Sequence, residues 1–155
     1  MSGIIDLHLQ ELGIELPAAT APVANYVSYT VTGNIVFISG QLPITNGELQ
    51  YPGKLGLNIS IEDAKKAARI CALNLLAQLK FACSSDLDRV TQVIKLGGFV
   101  NSTDDFNDQA LVINGASDLM VEVLKNKGKH ARAAVGCAAL PLGACVEVDG
   151  IFEIF

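Results

Sequence analysis

The chain has 155 residues, 50% of them hydrophobic and 17% charged, and its net charge is −5 at pH 7. The acidic balance and the lack of a large basic cluster argue against general affinity for nucleic acid, which depends on neutralising phosphates. No uncharged apolar run approaches the roughly 18 residues of a membrane span, and the first residues lack the features of a signal peptide. We therefore expect a cytoplasmic protein with a single domain over residues 1–155, in which residues 1–20 form an N-terminal extension.

The first half of the chain predicts a short helix, a β-hairpin and a long helix. The short helix spans roughly Ile4–Leu12. Tyr26–Val31 and Ile35–Ser39 are rich in β-branched and aromatic residues, and the Gly-Asn pair between them suits a hairpin turn. Ser60 begins a sequence that resembles a capping box, and helical spacing of apolar residues predicts a helix to about Ala82.

The second half predicts a strand, a helix and two further strands. Val90–Val100 reads as a strand of threonine, valine and isoleucine, loosened near its end by two glycines. Thr103 or Asp104 is expected to cap a helix over about Asp105–Asn126. The C-terminal stretch reads as two strands around a Leu-Pro-Leu-Gly turn, with the first strand beginning near His130.

This ββ-α-β-α-ββ order predicts an α/β (α+β) fold, a single-layer mixed sheet with two helices packed on one face. The other face of the sheet must also be covered, and the chain has no further helix layer for it. Oligomerisation is the simplest cover.

Arg132 is the strongest candidate for a functional side chain. It lies among small and apolar residues with no acidic residue nearby in sequence, and a charged group in such surroundings needs a polar partner. Its planar fork suits a carboxylate, although an interface or surface salt bridge would also explain it. The last strand carries Glu147 and Asp149, which also have an ordinary explanation as solvent-facing alternate residues. If the two C-terminal strands were neighbours in one sheet, an anion clamp and a candidate general base could approach each other.

Other residues give weaker signals. Ser39 and Gly40 end a strand and can present hydroxyl and backbone donors to an anion, or simply enter a loop. Tyr26 and Asn114 carry no signal of their own. The four cysteines lack C-x-x-C spacing and read as reduced core residues, and two histidines are too few for a histidine metal site or a Ser-His-Asp triad. We therefore predict no metal and no cofactor, and His130 is assigned no role.

Three stretches together resemble the YjgF/Rid family, the reactive-intermediate deaminases that are also labelled endoribonuclease L-PSP. The resemblance runs from about residue 21 to residue 155. Its motifs are, in chain order, Tyr26, Gly33-Asn34 and Ser39-Gly40-Gln41-Leu42-Pro43; Phe106 and Asn114; Ala131-Arg132, Leu140-Pro141 and Val146-Glu147-Val148-Asp149.

The resemblance implies a chorismate-mutase-like trimer whose sheets form a central barrel, with sites in the clefts between subunits. In deaminase members an arginine holds the carboxylate of a 2-imino acid, and an acidic residue orients the water that hydrolyses the imine to a 2-keto acid and ammonia. By this resemblance Arg132 and Asp149 are the catalytic residues. The implied substrate-binding residues are Tyr26, Ser39, Gly40, Asn114 and Arg132.

The chain also departs from the family pattern. Asp149 stands where the family usually has glutamate, Ala134 stands where many deaminase members have cysteine, and the spacing from Phe106 to Asn114 is longer than usual. These departures resemble a longer subgroup of the family. The alternatives are a non-catalytic trimer that binds a small carboxylate, an RNA-cleaving enzyme, which the acidic composition disfavours, and a chorismate-mutase-like pericyclic enzyme.

Overall fold

A computed structural model describes residues 3–22 and 24–155, and its elements follow the predicted order except for a short two-stranded ribbon in the loop after the hairpin. The helices are α1 (Ile4–Leu12), α2 (Ile61–Ala82) and α3 (Gln109–Leu124). The strands are β1 (Tyr29–Thr32), β2 (Ile35–Gln41), β3 (Ile44–Thr45), β4 (Glu48–Leu49), β5 (Val90–Asn101), β6 (Ala131–Cys137) and β7 (Val146–Ile154).

Five strands form one mixed sheet in the order β1-β2-β7-β5-β6, and β3 and β4 form a separate two-stranded ribbon. The pair β5–β6 is parallel and the other pairs in the large sheet are antiparallel. Helices α2 and α3 pack against each other and against one face of this sheet. The core lies between the two layers, where Val146, Val148 and Phe152 of β7 are buried. The predicted α+β fold with helices on one face is therefore confirmed.

Helix α2 shows why the sequence signals were reliable at this position. The Ser60 hydroxyl oxygen accepts a hydrogen bond from the Asp63 N–H at 3.1 Å, so the N-terminus is capped as expected. Every third or fourth residue then turns to the core. Five of these positions are fully buried: Ala64, Ala68, Cys71, Leu75 and Leu79.

Helix α3 begins later than predicted, and the expected cap is wrong. The Thr103 hydroxyl donates to the Asp105 carboxylate at 2.7 Å, and the Phe106 N–H bonds to the Thr103 carbonyl at 3.2 Å. These bonds close a turn of their own, so the helix starts only at Gln109, after Asp108. Strand β1 likewise starts later than expected, which leaves Tyr26 in a bend before the strand.

The two glycines of β5 do not loosen the strand, which runs unbroken to Asn101. A methyl group on Gly97 would collide with the carboxylate of Asp149 on one face of the sheet. A methyl group on Gly98 would collide with the side chain of Ile113 on the other face. The glycines therefore allow close approach on both faces, and the expectation of a weakened strand is wrong.

Helix α1 is fastened to the rest of the fold by Asp88. Its carboxylate oxygens accept hydrogen bonds from the Ile4 and Ile5 N–H groups, each at 2.8 Å. Lys80 of α2 adds an ion pair with Asp6 at 2.7 Å. Within residues 3–22 and 24–155, no helix is both long and apolar enough to cross a membrane.

The four cysteines are free thiols, as predicted from their spacing. Cys71, Cys83 and Cys145 are buried, and Cys137 is partly exposed.

Candidate functional site

Arg132 lies on β6, which is an edge strand of the sheet. It is in register with Leu96 of β5, whose side chain is buried under the helices, so Arg132 projects toward the helix side. Helix α3 faces Arg132 with three residues that lie on one stripe of the helix, Ala110, Asn114 and Ser117.

The guanidinium is held by three neutral oxygens. Nη1 donates to the Asn114 side-chain oxygen at 2.8 Å and to the Ser117 hydroxyl oxygen at 3.2 Å, and Nη2 donates to the Ala110 carbonyl at 3.4 Å. No ion pair found among the described residues involves Arg132. The guanidinium is therefore fixed in direction while its positive charge stays unneutralised, which suits an anion from outside the chain.

Arg132 and Asn114, two of the residues singled out in the sequence, thus touch each other directly. His130, to which the sequence assigned no role, lies in the loop before β6 as expected. Its imidazole hydrogen bonds to the Ser117 hydroxyl at 2.9 Å. Neither Ser117 nor His130 belongs to a motif, and only the packing of α3 beside β6 brings them together.

Ser39 and Gly40 form a β-bulge in strand β2. Ile38 pairs with Gly150 and Gln41 pairs with Val148, so two residues of β2 oppose Asp149 alone on β7. A bulge leaves the extra residue out of the ladder and redirects nearby side chains, which is why bulges recur beside active sites. The Ser39 hydroxyl donates to the Val27 carbonyl at 2.8 Å and so ties the bulge to the segment before β1.

Two open cavities flank this bulge. One, of about 340 Å³, is lined by Tyr26, Ser39 and Gly40 together with the exposed side chain of Leu142. The other, of about 540 Å³, is lined by Tyr26 and Ser39 together with Asp149. The structure therefore brings Tyr26, Ser39, Gly40 and Asp149 into one region.

The last strand places two carboxylates on the face of the sheet opposite the helices. Glu147 lies against Gly40, where a methyl group would collide with its carboxylate, and Asp149 lies over Gly97. Burial raises the pKa of the Glu147 carboxyl, and the charge of Asp149 raises that pKa further. Burial also raises the pKa of Asp149, while a hydrogen bond from the Gly97 N–H and the charge of Lys95 act in the opposite direction.

The predicted site residues therefore form two separate half-sites. The arginine half-site is Arg132 with Asn114, on the helix side at the β6 edge. The bulge half-site contains Tyr26, Ser39, Gly40, Glu147 and Asp149, on the open face and at the β1–β2 end. The two C-terminal strands, β6 and β7, are not neighbours, because β5 lies between them. The distance from β6 to β7 is therefore about 10 Å. A single copy of the chain does not bring Arg132 to the carboxylates.

The open face itself is partly apolar. Phe37 and Val135 are 43% and 48% exposed, and Phe99 and Ile151 lie beside the carboxylates on the same face. Within the described part of the chain, no group of three or more His, Cys, Asp or Glu side chains could hold a metal ion.

Comparison with known proteins gives one family over nearly the whole chain. The family model "YjgF/chorismate mutase-like, putative endoribonuclease" matches residues 6–153. The protein TCP17 of Trypanosoma cruzi is 48% identical over 154 residues, which cover 99% of this chain and 96% of that protein. A 2-iminobutanoate/2-iminopropanoate deaminase of Dermatophagoides farinae is 25% identical over 91% of this chain and 94% of its own length.

A solved structure agrees with these sequence matches. The crystal structure of Atu1372 from Agrobacterium tumefaciens, a protein of unknown function, superposes with a TM-score of 0.91. The two chains are 49% identical, and the match covers 97% of this chain and 92% of that one.

Proposed function

This chain belongs to the YjgF/chorismate mutase-like family, and we propose that it hydrolyses reactive 2-imino acids to 2-keto acids and ammonia. The observation that carries the proposal is the Arg132 guanidinium, which three neutral oxygens hold in place without neutralising it. A small carboxylate is the ligand that this arrangement fits.

The catalytic unit we propose is a homotrimer in which the arginine half-site of one copy faces the bulge half-site of its neighbour. Each half-site is incomplete in one chain, since β5 separates the strands that carry Arg132 and the two carboxylates. The exposed Phe37 and Val135 on the open face favour burial against another copy. The resemblance to the family sets the number of copies at three.

We assign the water-orienting role to Glu147, with Asp149 as its neighbour. The resemblance alone points to Asp149, but the carboxylate that lies against Gly40 is that of Glu147. Both have raised pKa values, and Asp149 contributes to the shift of Glu147. A carboxylate whose pKa is raised toward neutrality is a better proton acceptor from water. Asp149, over Gly97, would act on Glu147 through charge.

The reaction needs little further chemistry. Arg132 fixes the substrate carboxylate and so orients the imine carbon toward the carboxylate pair. The water oxygen bonds to the imine carbon as the C=N π bond breaks, and one water proton passes to the carboxylate, which returns it to the nitrogen. In the resulting carbinolamine the C–N bond breaks as the C=O bond forms, and the hydroxyl proton passes through the same carboxylate to the nitrogen, which leaves as ammonia. No metal or cofactor takes part in these steps.

The test is 2-keto acid release from 2-imino acids generated in situ from several amino acids. Wild-type protein should accelerate release over the spontaneous reaction, and Arg132→Ala should not. Arg89→Ala is the matched control, because the Arg89 side chain donates a hydrogen bond to the Phe155 carbonyl and to no described residue of either half-site. If wild type and Arg132→Ala behave alike, the deaminase proposal is wrong.

The same samples separate catalysis from binding alone. A trimer that only binds small carboxylates would be stabilised by 2-keto acids and would not release any. The names TCP17 and Atu1372 carry no stated activity, so this outcome is the second candidate function. Light scattering should give a trimer of the 16.3 kDa chain, and a stable monomer at micromolar concentration would exclude a shared site.

A further inference from the structure

We infer that Ser117 and His130 form a hydrogen-bond relay that positions Arg132 for its ligand, an inference that rests on the proposed function. The relay runs from the Gly128 carbonyl through the His130 ring and the Ser117 hydroxyl to the guanidinium. Its bonds are 2.6 Å from His130 Nδ1 to Gly128 O, 2.9 Å from His130 Nε2 to Ser117 Oγ, and 3.2 Å from Ser117 Oγ to Arg132 Nη1.

The chemistry of the atoms fixes the direction of every bond in the neutral relay. A carbonyl oxygen only accepts, so Nδ1 of His130 carries the hydrogen and donates it to Gly128. The neutral ring then has an acceptor at Nε2, which receives the Ser117 hydroxyl hydrogen. The lone pairs of the Ser117 oxygen are left facing Arg132, whose groups are all donors.

The relay matters because, among the described residues, the guanidinium has only two other hydrogen-bond partners. The Asn114 oxygen is at 2.8 Å, and the Ala110 carbonyl contacts the other terminal nitrogen at 3.4 Å, near the limit for a hydrogen bond. Ser117 on its own is a hydroxyl that can rotate and offer its hydrogen to Arg132. With His130 taking that hydrogen, the lone pairs of Ser117 stay aimed at the guanidinium.

Backbone placement keeps the relay short and coupled to the strand. His130 directly precedes β6, so its ring is anchored two residues from Arg132 in sequence. Ser117 lies one helical turn from Asn114 on the same stripe of α3. The relay therefore holds β6 and α3 at the separation at which the Arg132 guanidinium reaches Asn114 and Ser117 of α3. Ser117 and His130 are positioning residues, since neither would touch the ligand.

The first test measures binding of pyruvate and 2-ketobutyrate by calorimetry. Ser117→Ala and His130→Ala should each raise Kd about fivefold, the scale of one neutral hydrogen bond. Ser117→Thr keeps the hydroxyl, and His130→Gln keeps an acceptor and a donor, so both should stay close to wild type. His8→Gln is the matched control, because the chain has two histidines and His8 contacts Glu11 and Glu122 instead.

Steady-state kinetics should distinguish a loss of Arg132 positioning from general destabilisation of the fold. A loss of positioning should raise KM with a smaller effect on kcat, while the thermal midpoint of Ser117→Ala stays near that of wild type. Equal affinities for Ser117→Ala, His130→Ala and wild type, beside a loss in Arg132→Ala, would refute the relay and leave the proposed anchor standing. If Arg132→Ala also binds like wild type, the anchor itself is wrong and the relay has no ligand to serve.

The second test needs no ligand. Nitrogen-15 NMR of the two imidazoles distinguishes the tautomers, and neutral His130 should carry its hydrogen on Nδ1. Ser117→Ala should change the Nε2 resonance of His130 and leave that of His8 unchanged. A neutral His130 with its hydrogen on Nε2 would overturn the relay whatever the binding data show.

Discussion

Two inactive variants of this chain should restore each other's activity when their subunits are mixed. Arg132 belongs to the arginine half-site, and Glu147 belongs to the bulge half-site, with β5 between the strands that carry them. If one copy supplies the arginine and its neighbour supplies the carboxylate, a mixed trimer contains some sites in which both residues are intact. Arg132→Ala and Glu147→Gln are the two variants to mix.

The size of the effect follows from how the site is divided. With equal amounts and random assembly, half of the arginine half-sites come from Glu147→Gln subunits and are intact. Half of the facing bulge half-sites come from Arg132→Ala subunits and are also intact. About one site in four is then complete, so the mixture should reach about 25% of wild-type turnover per site, with additivity of independent sites.

The assay mixes the variants in denaturant, refolds them together and measures 2-keto acid release from an imine generated in situ. Arg132→Ala mixed with Asn114→Ala is the matched control. These two side chains touch at 2.8 Å within one chain, so mixing cannot rebuild their half-site. Activity that stays at the average of the parents for both mixtures would refute the shared site.

Three further predictions concern single substitutions. Arg132→Lys keeps the charge but loses the planar fork, so calorimetry with 2-keto acids should show a Kd raised about 10-fold or more, and wild-type affinity would contradict two-bond recognition. Glu147→Gln should lower kcat about 100-fold with little change in KM, and Asp149→Asn should lower it less; the reverse order in steady-state assays would return the base role to Asp149. Hydrogen bonds from the Ile5 and Ile4 N–H groups lower the pKa of Asp88, so its contribution to stability is present above the unfolded-state pKa and is lost as pH falls through the lower folded-state value. Asp88→Asn should therefore lower the melting midpoint by about 2–4 °C at pH 7, and calorimetric scans should show that the difference disappears in acid.

The sequence was informative wherever the signal was local. The cap at Ser60 and the apolar spacing that follows it were sufficient to place α2 correctly. The start of α3 was misplaced because Thr103 and Asp105 satisfy each other's hydrogen bonds in a turn, and a sequence does not show which polar partner a threonine takes. Gly97 and Gly98 were misinterpreted for a related reason. They have to be glycine because the side chains of Asp149 and Ile113, which belong to other elements, occupy the space that a Cβ atom would need.

The site was harder to predict than the fold because its residues meet through long-range packing. Arg132 and Asn114 were both singled out, but their contact depends on α3 lying beside the edge strand. Glu147 was ranked beside Asp149 from alternation alone, and only the β-bulge in β2 distinguishes which of the two carboxylates approaches Gly40. Ser117 and His130 gave no signal, since a serine within a helix and a histidine before a strand are ordinary in isolation.

The way Arg132 is held supports the shared site that we propose. A carboxylate partner within the chain would neutralise the guanidinium and leave nothing for a ligand to pair with. Three neutral oxygens fix its direction instead, and this arrangement leaves a charge at the sheet edge that is only partly compensated. On the open face, two negatively charged groups are crowded together instead. Glu147 and Asp149 are half-buried side by side, and burial raises the pKa values of both carboxyls. In the assembly that we propose, the arginine of one copy faces the carboxylate pair of its neighbour, and a substrate carboxylate bound between them supplies the anion that Arg132 lacks.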